Sequence, residues 1–582
     1  MTETTNLSKI KRDKMLNTLK EIKMNITDEK TLDNLSLIEN ELTKKKYGLI
    51  WEEHEERVDK ELETQIPTFE EVKDKEIITN PDDKFNFLLE GDNLHSLYLL
   101  QKTHKGKIDV IYIDPPYNTG KQDFRYDDKY IDELDGYTHS KWLSFMERRL
   151  SIASRLLKDD GIIMISIDEN EYSQLKIMCD DIFGENNRLI TLHIQVRYDN
   201  KQTRDIQFLP VMEYILLYAK NKACYEPNLP FENYNFDKFV FEIKELKPGL
   251  NQEIAGEKVE IFKNGEFEII KHKEGHEKYL KEIWISGSIY SDISYGKVFQ
   301  KIVEPRFEID GLGSLYKIYG RGDDGLGYRY YTNPQKMGAT RGKTYSGVPV
   351  KRLEELNQGK SIRNKPISNY YDFSADFGNI RHEGGISFNS GKKPTKMLKQ
   401  ILNYHKNKNA LVLDFFAGSG STGQAVLELN KEDSGNRQII LCTNNENNIC
   451  KEITYPRIKN VIGGYGKNKA LPANLKYYKT SYIPRINTEE SNLHEKLLVN
   501  IKNLIQLENG IEIDDKLIKV YLDESSLDKF SLNKKELDEC EKLYISSDIL
   551  LTSEQLKKFE DYNIEVFIIP EYYFTDEIME VA

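Results

Sequence analysis

Cysteine and long apolar runs are both scarce in this sequence. Its 582 residues include five cysteines, which form no CxxC pair and have no histidine at the spacing of a zinc site. Such scattered thiols suit a reducing cytoplasm and argue against structural zinc. No stretch approaches about 18 apolar residues and the first residues are polar and charged, so the sequence predicts neither a membrane span nor a secretory signal.

A surplus of positive charge is also absent, because 83 Lys and Arg face 96 Asp and Glu, which gives a net charge of −13. The deficit is local: residues 489–582 hold 23 acidic and 10 basic residues, and the preceding residues are neutral in sum. Residues 313–365 carry 11 basic residues against 4 acidic ones. The charge pattern therefore favours an anionic partner for this basic segment and a protein partner for the acidic end.

The spacing of apolar residues divides the chain. Residues 1–75 have helical spacing and are predicted to form a helical N-terminal arm. In residues 76–196, apolar runs such as "KIDVIYID" and "GIIMISID" alternate with the amphipathic "WLSFMERRLSIASRLLK". This alternation is typical of the α/β class, and it predicts a doubly wound, mostly parallel sheet.

The α/β rhythm is interrupted in the middle of the chain. In residues 197–387 glycine, tyrosine and short β-like runs dominate, so this stretch is predicted to be a large insertion. Residues 388–482 resume and complete the sheet, and residues 483–582 are predicted to form a small acidic α/β module. The apolar run "NIEVFIIP" in this module predicts a dimerisation or partner-docking surface, with a self-contained tail domain as the alternative.

The segment "IDVIYIDPPYNTG" is an apolar strand that ends abruptly in Asp114-Pro115-Pro116-Tyr117. Two prolines cannot continue a sheet ladder, and they fix the geometry of the turn. The Asp114 carboxylate and the Pro115 carbonyl could both accept hydrogen bonds from one exocyclic amine, while Tyr117 could stack on a base drawn out of a duplex. The segment predicts a clamp for an aromatic amine; the alternative is a strand terminator with an incidental tyrosine.

A glycine-rich turn follows a second strand in "ALVLDFFAGSGSTGQAV". Gly418 and Gly420 allow tight backbone geometry, and the start of the next helix favours a polar or anionic ligand group. Dinucleotide enzymes also use such a turn, but Asp414 before it fits an amino-acid-bearing ligand better than a pyrophosphate. The later strand "IILCTNNEN" ends near Glu446, which is a candidate ribose acceptor or a surface loop acid.

Together these two segments resemble the amino-methyltransferases of DNA. The target-amine motif precedes the cofactor motif, with the long insertion between them, as in the β group of DNA N6-adenine methyltransferases. The segments "EGDNLHSLYLL", "ISIDENEY" and "FNSGKKPTKMLKQIL" are similar to that group's accompanying motifs over about residues 80–470. Finer features, among them "DPPYNTG", "DFRYDDKY", "QVRYDNK" and "CTNNENN", resemble the modification subunits of type III restriction–modification systems.

The resemblance implies the S-adenosylmethionine-dependent methyltransferase fold with circularly permuted motif order, in which residues 197–387 form the target recognition domain. It implies site-specific transfer of a methyl group from S-adenosylmethionine to N6 of a flipped adenine, without a metal. The implied partners are double-stranded DNA with a short asymmetric site, a second copy of the chain, and a separate helicase–nuclease restriction subunit, in the cytoplasm of a bacterial cell.

The resemblance also implies roles for single residues. Asp114 and Pro115 would hold the adenine amine, Pro116 would fix the turn, Tyr117 would stack on the ring and Asn118 would assist. The residues expected at the cofactor are Asp414, Phe416, Gly418 and Gly420 at its methionine and ribose, Asp92 at its adenine, Glu446 at its ribose, and Lys393 near its carboxylate. The alternative is that Lys393 is a surface lysine.

The insertion is where DNA is expected to be read. Its cations Arg321, Arg329, Arg341, Lys343, Lys351 and Arg352 lie among Tyr316, Tyr319, Tyr328, Tyr330, Tyr331 and Tyr345. Cations can contact phosphates, arginine can also bind guanine, and tyrosines can stack on bases. The alternative is a tyrosine-rich β-fold with solvated cations.

Other functions remain open from the sequence. N4-cytosine methylation uses the same clamp, with Ser more often than Asp in its first position, so Asp114 favours adenine. A stand-alone methyltransferase, an RNA methyltransferase and a non-catalytic DNA-binding scaffold are further alternatives. The segment "GATRGKT" imitates a phosphate-binding loop but has Met337 where that loop needs glycine, which argues against an ATPase.

Overall fold

The computed structural model describes residues 7–24, 26, 28–43, 51–52, 54–120, 125–126, 129–130, 137–198, 207–285, 294–336, 339, 341–359, 362–387, 392–485, 490–513 and 516–579. The chain forms two compact units, the first of Met1–Asn228 with Ser368–Ala582 and the second of Leu229–Ile367. Parts of the quoted segments "DFRYDDKY", "QVRYDNK", "GATRGKT" and "FNSGKKPTKMLKQIL" lie outside the described residues. Among the helices described, none has both the length and the apolar character needed to cross a bilayer.

The strands of the described residues are β1 (Gln65–Glu71), β2 (Phe85–Glu90), β3 (Ile108–Ile113), β4 (Arg125–Tyr126), β5 (Lys129–Tyr130), β6 (Leu157–Ile167), β7 (Arg188–Gln195), β8 (Met212–Ala219), β9 (Phe231–Asn233), β10 (Phe239–Glu245), β11 (Leu250–Ile254), β12 (Glu257–Phe262), β13 (Phe267–Lys271), β14 (Leu280–Trp284), β15 (Leu315–Tyr319), β16 (Tyr328–Thr332), β17 (Lys343–Ser346), β18 (Ile362–Asn364), β19 (Tyr370–Asp372), β20 (Leu411–Asp414), β21 (Gln438–Thr443), β22 (Asn474–Pro484), β23 (Ile518–Tyr521), β24 (Lys542–Ser546) and β25 (Glu565–Ile569).

The helices of the same residues are α1 (Leu7–Met24), α2 (Glu29–Thr43), α3 (Arg57–Thr64), α4 (Asn93–Thr103), α5 (Thr138–Leu156), α6 (Tyr172–Cys179), α7 (Tyr295–Val298), α8 (Phe307–Asp310), α9 (Val350–Asn357), α10 (Ser374–Asn379), α11 (Thr395–Leu402), α12 (Ser421–Asp433), α13 (Tyr455–Gly463), α14 (Glu490–Asn509), α15 (Glu524–Leu532), α16 (Lys534–Glu539), α17 (Ser553–Asp561) and α18 (Glu571–Met579).

A ten-stranded sheet forms the centre of the first unit, in the order β1-β22-β2-β21-β20-β3-β6-β8-β7-β19. The six strands from β22 to β6 run parallel, whereas β8 pairs antiparallel with both β6 and β7. Every residue of β2 and of β3 is buried, as expected for strands covered on both faces. The predicted doubly wound, mostly parallel α/β sheet is confirmed.

The strands β3 and β20 lie side by side although about 300 residues separate them. Val110 pairs with Val412, and Ile111 pairs with Leu413. From β20 the chain continues to β21 on one side, and from β3 it continues to β6 on the other. The strand order therefore reverses between β3 and β20, which is where ligands bind in open α/β sheets, at the carboxyl ends of the strands.

The inserted unit is shorter than the 197–387 expected from the sequence. Strand β8 belongs to the large sheet, and β19 pairs parallel with β7 in the same sheet. These pairings leave Leu229–Ile367 as a compact unit of its own. Its main sheet has eight strands in the order β11-β12-β15-β16-β17-β14-β10-β13, and the pairs along it are antiparallel.

Strand β1 and helix α14 join the N-terminal and C-terminal parts of the chain to the first unit. Strand β1, at the end of the predicted N-terminal arm, pairs antiparallel with β22. At the acidic end, β23, β24 and β25 form a small parallel sheet, as an α/β module requires. Helix α14 packs against β1 and α4 through a stripe that buries Leu497, Ile501 and Leu504 in the core of the first unit. The acidic segment thus shares a core with the large sheet.

Candidate active site

The turn after β3 is held from several sides. Asp114 follows the last residue of the buried strand β3, and two prolines follow it. The Pro116 carbonyl accepts a hydrogen bond of 2.8 Å from the indole Nε1 of Trp142, a fully buried residue of α5. Asn118 has a left-handed backbone with φ 59°, which asparagine tolerates better than most residues. The turn is therefore fixed by ring geometry and by a buried donor.

Four side chains close a network at this turn. The Tyr117 hydroxyl lies 2.9 Å from Asp114 Oδ1 and 3.0 Å from Glu213 Oε2. The Lys393 ammonium lies 2.9 Å from the same Asp114 oxygen and 3.3 Å from the same Glu213 oxygen. It also sits 5.0 Å from the centre of the Tyr117 ring. Two carboxylates therefore share one lysine and one tyrosine.

Burial sets the electrostatics of this network. The side chains of Lys393, Asp114 and Glu213 are 9%, 19% and 21% exposed. Burial raises the pKa of Asp114, Lys393 opposes that rise, and Glu213 adds to it. Burial also raises the pKa of Tyr117 well above its usual value, so its hydroxyl stays protonated and can donate. Burial would lower the pKa of Lys393, but the two carboxylates outweigh it and raise the pKa.

Asn118 belongs to a second buried cluster beside the turn. Its Nδ2 donates to Glu171 Oε1 at 2.5 Å, and His139 Nδ1 lies 2.6 Å from the same oxygen. Glu171 is fully buried, and burial raises the pKa of its carboxyl despite the hydrogen bond from Asn118. Asn118 is thereby held by its side chain, and its amide is already committed to Glu171.

The glycine-rich turn is built on Asp414. Its Oδ2 accepts a hydrogen bond of 2.6 Å from the Thr422 hydroxyl, and its Oδ1 accepts one of 3.0 Å from the Phe416 backbone N–H. Burial raises the pKa of Asp414 to about 7 despite the Thr422 hydroxyl, and the negative charge of Asp114 adds to the rise. Asp414 therefore ties the turn to the start of α12, and the two motif carboxylates feel one another electrostatically.

The two glycines predicted in this turn adopt left-handed conformations. Gly418 has φ 48° and Gly420 has φ 77°, a region that side chains disfavour. A Cβ on Gly418 would meet nothing closer than the Phe416 carbonyl at 3.8 Å, so space remains open above the turn. A Cβ on Gly420 would approach Thr454 within 3.2 Å. The first glycine thus borders open space, and the second serves the packing of the turn.

The remaining predicted cofactor residues differ in their surroundings. Asp92 caps α4 by accepting from the Leu94 backbone N–H at 2.8 Å, and it lies 3.3 Å from the buried guanidinium of Arg149. Phe416 is half-buried, with its ring centre 5.8 Å from that of Phe145. Glu446 is half-exposed in the loop after β21. Lys393 lies on Asp114 and Glu213, at the predicted amine clamp.

The predicted DNA-contacting cations of the inserted unit fall into two groups. Arg341 and Lys351 are exposed. The others are in ion pairs: Arg321 with Glu257, Arg329 with Asp323 and Asp324, Lys343 with Glu282, and Arg352 with Glu355. Arg329 is only 2% exposed and cannot reach a phosphate without rearrangement. Its assignment to DNA contact is corrected to a structural role.

The tyrosines of the same segment also need correction. Tyr316, Tyr330, Tyr331 and Tyr345 are buried in the core of the eight-stranded sheet, so they cannot stack on bases in this conformation. Tyr319 and Tyr328 remain half-exposed. Tyr330 and Tyr331 are consecutive, so they face opposite sides of the sheet, and each is buried in a separate apolar cluster. The tyrosine-rich β-fold is the better description of the buried four.

Two functional candidates were missed in the sequence. Glu213 is the single acid in the apolar run "VMEYILLYAK", and Glu171 lies in "SIDENEY". An isolated carboxylate in a strand of apolar residues costs free energy unless it has a partner, which is the signal that could have identified Glu213. Its partners, Tyr117 and Lys393, come from distant parts of the chain, and only the fold reveals them.

Comparison with known proteins agrees with this geometry. The family described as DNA methylase, of N6 and N4 type, matches residues 108–471, which is more than half of the chain. The chain is 31% identical over 415 residues to the Mod subunit of the type III restriction–modification enzyme StyLTI of Salmonella typhimurium, covering 65% of this chain and 55% of that protein. It is 30% identical over 457 residues to the EcoPI Mod subunit of Escherichia phage P1, covering 72% and 66%.

Relatives outside the type III group are also similar. The type II methyltransferase M.KpnI of Klebsiella pneumoniae is 30% identical over 364 residues, covering 61% of this chain and 79% of that protein. Among solved structures, PvuII DNA methyltransferase, described as cytosine-N4-specific, has 10% identity and a TM-score of 0.31, covering 75% of this chain and 100% of that chain. The chain spans between about half and two thirds of the length of the type III relatives.

Proposed function

We propose that this chain, which belongs to the DNA methylase family, transfers a methyl group from S-adenosylmethionine to N6 of an adenine in double-stranded DNA. The observation that carries the proposal is the position of its two motif turns. The Asp114 turn and the Asp414 turn follow adjacent parallel strands, β3 and β20, at the point where the strand order reverses. An amine at the first turn and a methyl donor at the second would therefore be neighbours.

The glycine-rich turn fits the donor. Open space above Gly418, a left-handed backbone and the N-terminus of the 13-residue helix α12 form a cradle that a side chain would fill. Gly418, Gly420 and Phe416 would line it, Asp92 would face the adenine portion, and Glu446 the ribose. Asp414 would act beneath the turn, because both of its oxygens already hold Thr422 and Phe416. When bound, S-adenosylmethionine supplies an activated methyl group.

The Asp114 turn fits the acceptor. Asp114 Oδ1 holds Tyr117 and Lys393, and among the described residues no hydrogen bond is made to Oδ2. That oxygen and the Pro115 carbonyl would accept the two N6 hydrogens of adenine and aim the nitrogen lone pair at the methyl group. Tyr117 would stack on the base after it leaves the duplex, and Asn118 would keep the turn in place. Asp114 in first position favours adenine over cytosine.

The type III assignment is the finer part of the proposal. The identities of 31% and 30% to two Mod subunits support a modification subunit of a type III restriction–modification enzyme. We infer that such a subunit would pair with a separate restriction subunit, form a homodimer and work on cytoplasmic bacterial DNA. A stand-alone methyltransferase is the second candidate, because the match to M.KpnI covers 79% of that protein. Co-purification with a helicase–nuclease subunit encoded beside this chain would favour the first candidate.

The dimer would use exposed apolar side chains of the acidic end. In the run "NIEVFIIP", Ile564 and Ile569 are buried in the core, whereas Ile568 is 40% exposed. Val499, Leu532 and Leu550 are also exposed and are further candidates for a protein contact. Light scattering of the purified chain, with and without charged substitutions at Leu532 and Leu550, would measure their contribution to association.

The decisive test of the proposed function is a methylation assay. Unmethylated plasmid DNA is incubated with the purified chain and labelled S-adenosylmethionine, and the methylated bases are then identified and mapped by sequencing. We expect N6-methyladenine at one short asymmetric sequence. N4-methylcytosine instead would assign the chain to the other chemistry of its family, and methylation at scattered positions would remove the site specificity.

A further inference from the structure

Glu213 is an acid that the proposed reaction has not yet used. It is the second residue of β8, whose other residues are uncharged, and its side chain is 21% exposed. Its Oε2 lies 3.0 Å from the Tyr117 hydroxyl and 3.3 Å from the Lys393 ammonium. Both of those donors also contact Asp114 Oδ1, at 2.9 Å each. Glu213 therefore competes with Asp114 for the same two donors.

Tyr117 and Lys393 differ in the number of protons that they can donate to the two carboxylates. The Tyr117 phenol has one proton, so it can donate fully to only one of the two carboxylates at a time. Lys393 has three protons and can donate to both. The two carboxylates and one ammonium also leave the network with a net charge of −1. The arrangement has a single phenol proton for two carboxylates, and more negative than positive charge.

Methyl transfer would benefit from the shared phenol proton and from the net negative charge of the network. The N6 lone pair forms the new N–C bond, the S–C bond breaks with its electron pair returning to sulfur, and N6 becomes positive before it loses one proton to water. A negative surrounding stabilises that positive charge as it develops. An Asp114 carboxylate neutralised fully by Lys393 and Tyr117 would be a weaker acceptor for the amine.

We propose that Glu213 is a positioning residue for methyl transfer, which draws the Tyr117 hydroxyl and the Lys393 ammonium partly away from Asp114. An ionised Asp114 is then a stronger acceptor for the adenine amine, and the site keeps its negative charge. This inference rests on the proposed function, because it assigns a role within the same site. It predicts that Glu213 and Lys393 act on Asp114 in opposite directions.

The pH dependence of turnover reports that opposition. Activity needs Asp114 ionised, so it is lost as the pH falls through the pKa of Asp114. Glu213 raises that pKa and Lys393 lowers it. The other ionisable groups that face Asp114 or Glu213 are Tyr112 on β3, Tyr117, Asp168 after β6 and Asp414 on β20. They stay the same in the variants below.

The experiment compares Glu213→Gln and Lys393→Met with the wild-type chain. In Glu213→Gln we expect kcat to fall about 10- to 100-fold and the acid side of the pH profile to move to lower pH. In Lys393→Met the acid side should move to higher pH. Glu213→Asp, which keeps the charge, should leave the acid side at the wild-type pH. Calorimetry should give the wild-type affinity for S-adenosylmethionine in Glu213→Gln and Glu213→Asp.

A matched control is Glu71→Gln. Glu71 is also a strand glutamate paired with a buried lysine, Lys476, at 2.6 Å, and its side chain is 12% exposed. We expect wild-type kcat and an unchanged pH profile. If Glu213→Gln lowered kcat without moving the acid side of the profile, or changed neither quantity, the positioning role would be wrong.

A second readout does not depend on turnover. In protein labelled with 13C-aspartate, the carboxyl signal of Asp114 can be identified by its loss in Asp114→Asn. It should titrate at lower pH in Glu213→Gln and at higher pH in Lys393→Met. Unchanged titration in both would overturn the inference even if the wild-type chain methylates DNA, whereas shifted titration with no methylation of any DNA would overturn only the proposed function.

Discussion

Carboxylates, lysine and tyrosine meet in two regions of this molecule, with a different number of donors for each carboxylate. In the inserted unit, Glu245 holds Lys317 at 2.8 Å and the Tyr330 hydroxyl at 2.6 Å, and Glu282 holds Lys343 and Tyr345 in the same way. Each of those glutamates has its own lysine and its own tyrosine. At the β3 turn, two carboxylates share one lysine and one tyrosine.

The pKa values of the two regions differ, and burial is the first cause of the rise at the β3 turn. Burial would raise the pKa of Glu245, but the hydrogen bonds from Lys317 and Tyr330 outweigh it and lower the pKa. At the β3 turn burial and Glu213 prevail over Lys393, and the pKa of Asp114 is raised. Each triad of the inserted unit joins strands of a sheet, whereas the four-residue network at the β3 turn has a second carboxylate and retains an acceptor. The two regions therefore differ in the number of donors for each carboxylate and in how deeply the carboxylate is buried.

The largest expected effect separates the two regions by activity. Asp114→Ala should reduce methylation at least about 1,000-fold, because the amine loses its acceptor, and Tyr117→Ala should do nearly the same. Binding of S-adenosylmethionine should remain, since neither residue lies on the glycine-rich turn. Glu282→Ala removes a balanced carboxylate and should leave kcat near its wild-type value at saturating DNA. A kcat loss in Glu282→Ala as large as that in Asp114→Ala would contradict the predicted difference between the two regions.

The next effect concerns the cradle. Gly418→Asp should weaken S-adenosylmethionine binding at least about 100-fold, because it places an anion and a Cβ at φ 48° in the turn. Gly359→Asp is the matched control: its φ is 74°, and a Cβ there meets nothing within 4 Å. The control should bind the cofactor normally in calorimetry. Wild-type affinity in Gly418→Asp would place the donor elsewhere.

A third effect tests how the acidic end is attached. Ile501→Ala should lower the free energy of unfolding by about 2–5 kcal/mol, because Ile501 is fully buried in the core of the first unit. Removing residues 484–582 should therefore destabilise the first unit itself. Val499→Ala, on the same helix but exposed, should change stability by less than about 0.5 kcal/mol. Equal midpoints for both variants in urea would show that α14 is dispensable.

The smallest expected effect concerns DNA binding by the exposed and the paired cations of the inserted unit. Neutralising the exposed Arg341 and Lys351 should weaken DNA binding and reduce the salt slope of log K by up to about 2, since each phosphate contact adds about 0.9. Neutralising Arg321 and Lys343, which are paired with Glu257 and Glu282, should change the slope much less. Fluorescence anisotropy at several salt concentrations measures both. The reverse order would move the DNA surface to the paired cations.

The sequence predicted what lies close together along the chain. The turn at Asp114, the glycine turn at Gly418 and Gly420, and the parallel sheet all follow from local patterns of residues. It did not predict Glu213, because its partners Tyr117 and Lys393 are about 100 and 180 residues away. The sequence does not distinguish a DNA-contacting Arg329 from a paired one, because a basic side chain beside tyrosines has the same pattern whether it is solvated or paired with Asp323 and Asp324.

The boundaries of the insertion were misjudged for a related physical reason. Strand β8 pairs antiparallel with β6, so it joins the large sheet from the direction opposite to the parallel strands. A short run such as β19, with three residues, gives no periodic signal at all. Both belong to the first unit because of pairing, which a single sequence does not record.

The most direct test of the account is mass spectrometry of nucleosides from plasmid DNA treated with the purified chain and S-adenosylmethionine. We expect N6-methyladenine with the wild-type chain and none above background with Asp114→Ala, although both bind the cofactor equally. Equal amounts of N6-methyladenine from the two proteins, or none from a wild-type chain that binds S-adenosylmethionine and DNA, would contradict it.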